Sequence, residues 1–107
     1  MKVTDFKFGS IRINGKEYKE DVFVLGNSVE IKESGHTIRK KEVEKLVLEE
    51  PKQIIIGTGT TGKVKITEEA LSFVKSNNID IILEKTPKAV EIFNKNNNAV
   101  GLFHLTC

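Results

Sequence analysis

The stretch QIIIGTGTTGK, Gln53 to Lys63, decides how the chain is read, because a short apolar run breaks there into three glycines and a lysine. The β-branched run Ile54 to Ile56 fits a strand covered on both faces of a sheet. The residues after it make a polar, backbone-rich loop at the strand's end. Gly57, Gly59 and Gly62 satisfy GxGxxG, and Glu84, closing the next apolar run, stands where a dinucleotide fold places its ribose-binding acid. Gly57 followed by Gly62 and Lys63 also approaches the phosphate-loop pattern. Val64, however, replaces the Ser or Thr whose hydroxyl would hold magnesium. Both fingerprints require a helix that opens at the loop. The first capping signal is Thr67, so the helix N-terminus that would receive a pyrophosphate is displaced by several residues. A less specific reading survives. The backbone N–H groups of Thr58 to Gly62, the hydroxyls of Thr58, Thr60 and Thr61, and Lys63 form a candidate anion cradle. The competing reading is that the glycines permit a tight, close-packed turn.

Downstream of the loop, Thr67 caps a helix whose first turn carries Glu68 and Glu69 and whose apolar face is Ala70, Leu71, Phe73 and Val74. Asn77 and Asn78 stop it, and Ile79 to Leu83 reads as another buried strand. Thr86 caps the next helix, with Pro87 at its first position and Ala89, Val90 and Phe93 facing inward. The run Asn96 to Asn98 closes that helix, and Val100 to Leu105 is the last strand. Strand, helix, strand, helix, strand predicts two crossovers between parallel strands.

Upstream, Pro51 ends a helix on which Val43, Leu46 and Val47 recur at helical spacing. The first third alternates instead. Thr4, Phe6 and Phe8 are expected on one face of a strand, and Val3, Asp5 and Lys7 on the other. Asn14-Gly15 marks a hairpin, since both residues tolerate the positive φ of a type I′ turn. Gly26-Asn27 marks a second one. The predicted architecture is a single three-layer α/β domain over residues 1–107, a parallel βαβαβ half joined to an N-terminal antiparallel β-meander.

Composition narrows the function classes. Seventeen Lys and Arg against fifteen Asp and Glu leave a net charge of +2, far from the footprint of a dedicated nucleic-acid binder. No Trp, one Tyr and six Phe provide few base-stacking platforms. The single Cys107 has no internal disulfide partner, and no apolar stretch approaches the roughly 18 residues of a membrane span. A soluble, cytoplasmic domain is expected.

Parallel topology predicts that Gly57 to Lys63, Thr86 and Thr106 meet at the carboxyl edge of the sheet, where open α/β sheets bind ligands. His36, Arg39, Lys40 and Lys41 form a second, cationic cluster at the entry to the first helix, where it opposes the helix dipole and invites an anion or acidic partner. The bland alternative is a solvated face. His104 and Cys107, three apart in an extended segment, point to opposite faces and do not chelate, so no metal or cofactor is expected. Cys107 lacks a neighbouring base to form its thiolate.

The residues Gly35-His36 before a helix, IIIGTG at 54 to 59, Thr86 with Ala89 and Asn94, and Leu105-Thr106-Cys107 together resemble the adipogenesis-associated MTH-type domain family, formerly a domain of unknown function. The resemblance covers nearly the whole chain. It implies a compact β/α fold, and no assigned reaction for most prokaryotic members. A mitochondrial relative that assists assembly of respiratory complex I points toward a scaffold or binding role. The resemblance places Gly57, Thr58, Gly59, Thr86, Asn94 and Thr106 in a recurrent pattern at the sheet edge. Two readings stay open: a non-catalytic interaction or assembly-assisting domain with a protein partner, and a small-anion or phosphometabolite binder using Gly57 to Lys63. Homo-oligomerisation through an exposed meander strand is a third.

Overall fold

A computed structural model describes all 107 residues. In chain order the elements are β1 (Val3–Lys7), β2 (Ser10–Ile13), β3 (Lys16–Tyr18), β4 (Val22–Val24), β5 (Val29–Ile31), β6 (Thr37–Ile38), α1 (Lys40–Val47), β7 (Gln53–Gly57), β8 (Lys65–Ile66), α2 (Glu68–Ser76), β9 (Asp80–Glu84), α3 (Thr86–Asn94) and β10 (Ala99–Phe103). The isoleucine run becomes β7, which pairs in parallel with β9 on one side and β10 on the other. The chain leaves β7 through α2 to reach β9, then returns across β7 through α3 to reach β10.

Alternation along β7 divides the core. Ile54 and Ile56 project into an apolar layer completed by Val43 and Leu46 of α1 and Ala70 and Val74 of α2. Ile55 projects to the other face, against Ala89 and Phe93 of α3 and Val3, Ile11 and Ile13 of the N-terminal strands. This produces the expected three layers: α1 and α2, then the sheet, then α3 with β1–β3. No helix is long and apolar enough to cross a membrane.

The N-terminal third departs from one continuous meander. β1, β2 and β3 form their own antiparallel sheet, whereas β4 and β5 join the main sheet in the order β5-β4-β10-β7-β9. The reason lies in composition: all three residues of β4 are buried, so this strand belongs inside a sheet covered on both faces. The face assignment within β1 is also corrected. An irregularity between Val3 and Asp5 breaks strict alternation, so Val3 turns inward and Phe8, past the strand's end, is exposed. β9 is an edge strand with Leu83 exposed, rather than a fully buried one. The Asn14-Gly15 turn forms as read, with φ of 48° and 86°.

Thr67 caps α2, its hydroxyl accepting the Ala70 N–H at 3.1 Å. Between the glycine loop and this helix the chain inserts β8, which pairs in parallel with β6. That two-residue ladder separates the loop from the N-terminus of α2, the helix that follows it, and binds it to the segment that carries His36.

Two measurements follow. Ile55→Ala removes a fully buried side chain of the central strand and lowers unfolding free energy by about 2–5 kcal/mol in urea titration. The Ser10 hydroxyl, donating to Glu17 at 2.8 Å, holds the Glu17 carboxyl below its ordinary value; desolvation opposes it, and the nearby charges of Lys19, Arg12 and Lys7 add to the lowering. A depressed carboxylate contributes stability above its unfolded value that disappears as pH falls through the folded one. Ser10→Ala therefore moves the Glu17 titration upward in carbon-detected NMR and blunts the acid-side pH dependence of stability.

Candidate functional site

Each glycine of the loop is fixed by something in the chain itself. A Cβ on Gly57 would lie 2.8 Å from Thr86 Oγ1 and 2.9 Å from Phe103 Cδ1. Gly57 thus makes room for the Phe103 ring, which also lies over Gly101 and meets Phe93 edge-on at 5.5 Å. Gly59 adopts φ of 102°, and a Cβ there would overlap the Cys107 carbonyl group. Gly62 turns the chain with φ of 76°.

The expected anion cradle is filled by the C-terminal segment. Thr60 N–H donates to the Thr106 carbonyl at 2.7 Å, while Thr61 and Lys63 N–H both donate to the Cys107 carbonyl, at 3.1 and 3.2 Å. The hydroxyls of Thr60 and Thr61 donate to the same two carbonyls. Thr58 directs both its N–H and its hydroxyl to the Glu84 carbonyl. The Thr60, Thr61 and Lys63 donors thus stabilise a strand-like docking of residues 106 and 107, and those of Thr58 hold the end of β9.

Thr86 is fully buried, and its hydroxyl does not cap α3 as expected; Lys85 is the cap residue. The hydroxyl instead accepts the Gly59 N–H at 2.9 Å and donates to the His104 carbonyl at 2.7 Å. Gly57 to Lys63, Thr86 and Thr106 therefore do meet at one edge. Asn94 does not. It lies at the far end of α3, where its side-chain amide pairs with the Val3 backbone through bonds of 2.9 and 2.7 Å. Eight residues of helix separate it from Thr86, roughly 12 Å at 1.5 Å per residue.

The strongest polar constellation at this edge escaped the motif reading. Asp21, at the start of β4, sits beside the end of β10 because those strands are antiparallel neighbours. Its Oδ2 lies 2.6 Å from His104 Nδ1, and its Oδ1 accepts the Leu105 N–H at 3.0 Å. A carboxylate accepts, so Nδ1 carries a proton, and Nε2 faces Thr106 Oγ1 at 3.3 Å. Asp21 and His104 are both buried. The His36 ring closes over the His104 ring, edge to face at 5.3 Å, while the His36 carbonyl accepts the Lys65 N–H.

Outside His36 the surface is concave. A hollow of about 220 Å³ is lined by Lys32, His36, Arg39 and Lys41, along with Glu33 and Glu42. Glu42 is partly engaged already, its Oε1 accepting the Arg39 N–H at 2.7 Å. Lys32, absent from the sequence-derived cluster, is added because its N–H bonds to the Asp21 carbonyl opposite. Lys40 leaves the cluster, its ammonium lying 5.1 Å from the Phe73 ring centre. No three His, Cys, Asp or Glu side chains converge as a metal site.

A profile of the family described as protein of unknown function (DUF498/DUF598) matches residues 3–100. The chain belongs to this family. It is the Mth938-type domain family, as the solved structures it resembles make plain. A conserved hypothetical protein of Pyrococcus horikoshii, PH1505, shares 22% identity over the whole of both chains with a TM-score of 0.90. MT938 shares 25% identity over 99% of this chain and 98% of its own, at a TM-score of 0.84. A Mth938-like domain protein of Bordetella pertussis shares 13%, covering 97% of this chain and 85% of its own, at 0.78. No curated protein matches. Within this Mth938-type domain the edge combines a closed loop with an open cationic hollow, and these are tested separately. Thr86→Val keeps shape but strands two buried groups, the Gly59 N–H and the His104 carbonyl, at about 1–3 kcal/mol each. Thermal unfolding of that variant falls well below wild type, whereas Thr86→Ser stays close to it.

Proposed function

We propose that this Mth938-type domain is an interaction module that grips an anionic group in the hollow outside His36, assisting a protein partner through an acidic segment. The observation that carries this reading is the concentration of Lys32, His36, Arg39 and Lys41 around one concavity of about 220 Å³. Lys32, Arg39 and Lys41 against Glu33 and Glu42 leave a net positive local field in a chain that is almost neutral overall. The N-terminal end of α1 adds its dipole to the same field. A cation cluster placed against a helix's positive end is relieved when an anion arrives. The cytoplasm is the setting of this reading, since one unpaired cysteine suits a reducing compartment.

A small phosphorylated metabolite has the same charge chemistry and is the second source of such an anion. The glycine loop is not part of either version, because the N–H groups of Thr60, Thr61 and Lys63 are engaged by the Thr106 and Cys107 carbonyls, that of Gly59 by the Thr86 hydroxyl and that of Thr58 by the Glu84 carbonyl.

The test is calorimetric titration of the full chain with a glutamate-rich peptide and, in parallel, with a panel of phosphorylated metabolites. Peptide binding that weakens about tenfold in Arg39→Ala and again in Lys41→Ala, an effect of ~1.4 kcal/mol each, supports the module. The affinity also falls with added salt. Saturable binding of a metabolite alone assigns the hollow to a small ligand. Binding by neither, or binding indifferent to both substitutions, refutes the proposal.

A further inference from the structure

The binding reading leaves the buried pair beneath the hollow without a task. Asp21 and His104 make a bond of 2.6 Å, and the other oxygen of Asp21 is fixed by the Leu105 N–H. An imidazole locked at Nδ1 by a buried carboxylate has its orientation and tautomer set, which leaves Nε2 as an acceptor. The only partner of Nε2 is the Thr106 hydroxyl at 3.3 Å. His104 and Thr106 are two residues apart in an extended segment, so their side chains share a face. The Thr106 backbone is pinned on its carbonyl side by Thr60 N–H. The base and its orienting acid are withdrawn from water, while Thr106 is only half-buried and can be reached. Carboxylate, imidazole and hydroxyl in that order are the parts of an activated nucleophile, and a resting distance slightly beyond ideal is usual for such pairs without substrate.

We propose that Thr106 is a nucleophile that takes an acyl group from an activated carboxylic ester or thioester, with His104 as its base and Asp21 as the positioning residue. In the step, Thr106 Oγ attacks the carbonyl carbon as its proton passes to His104 Nε2. The bond to the alkoxide or thiolate leaving group then breaks, and that group departs with the proton from Nε2. The product is an ester on Thr106. Water, deprotonated by the same Nε2, releases the acid and restores the hydroxyl.

The experiment uses the full chain carrying Cys107→Ser, which keeps the backbone carbonyl that docks in the loop but removes the competing thiol. It is incubated with p-nitrophenyl acetate, phenolate release is followed, and the acetylated residue is located by peptide mass spectrometry. One acetyl on Thr106 is expected, with the release of one phenolate. Thr106→Ser keeps the reaction and Thr106→Val abolishes it. Asp21→Asn slows it by about 10²-fold or more and displaces the pH profile, a change that a purely structural role would not produce. If Asp21→Asn fails to fold, the two Thr106 variants decide alone, because valine and serine at a half-buried site preserve the backbone. Absence of acetyl on Thr106, acetyl confined to lysines, or an unchanged rate in Thr106→Val overturns the proposal.

Discussion

The carboxyl edge of this domain depends on one buried hydroxyl. Thr86 Oγ1 accepts from Gly59 and donates to His104, so a single oxygen joins the loop after β7, the start of α3 and the segment after β10. None of these groups is reachable by water, and each would be costly to leave unpaired. The clasp also explains why Gly57 has no side chain, since a Cβ there would collide with the hydroxyl it must leave free. Removing the oxygen therefore breaks two connections at once, while removing either one leaves the oxygen half-satisfied.

A second clasp works in parallel. Asp21 holds the His104 ring with one oxygen and the Leu105 backbone with the other, tying β4 to the end of β10. Between them the two clasps hold residues 104 and 105 from both sides, and the glycine loop then closes on the two carbonyls that follow. The loop's amides stabilise this docking, leaving the cationic hollow outside His36 as the open part of the edge. Electrostatics there is long-ranged and screened, whereas the clasps are short, dry and geometric.

Much of the fold was legible because its signals are local. Three isoleucines in a row announce a strand buried on both faces, Thr67 announces a helix start, and Asn14-Gly15 announces a turn. What was not legible depends on pairing. The VFV of β4 reads equally well as an outer hairpin strand, and only its neighbour β10 reveals it as part of the main sheet. The site divides in the same way. Topology sufficed to bring Thr86 and Thr106 to the glycine loop, because parallel strands end together. It could not find Asp21 and His104, which are 83 residues apart and meet only through an antiparallel pairing. Asn94 was misassigned for a related reason: a residue on the same helix as Thr86 can sit at its opposite end. Nor does spacing show whether a glycine-rich loop offers its amides to a ligand or to the chain's own carbonyls.

The order of the main sheet also bears on how the chain is made. β10 lies between β4 and β7, yet it is the last strand to be synthesised. Until residues 99–103 clear the ribosome, the β4–β5 hairpin and the β7–β9 pair have no common partner, and the isoleucines of β7 have one bare flank. Closing the sheet joins segments far apart in sequence, a slow kind of contact to form. Folding of this domain consequently waits on β10: the β4–β5 hairpin and the β7–β9 pair keep an open, sticky seam until that strand fills it.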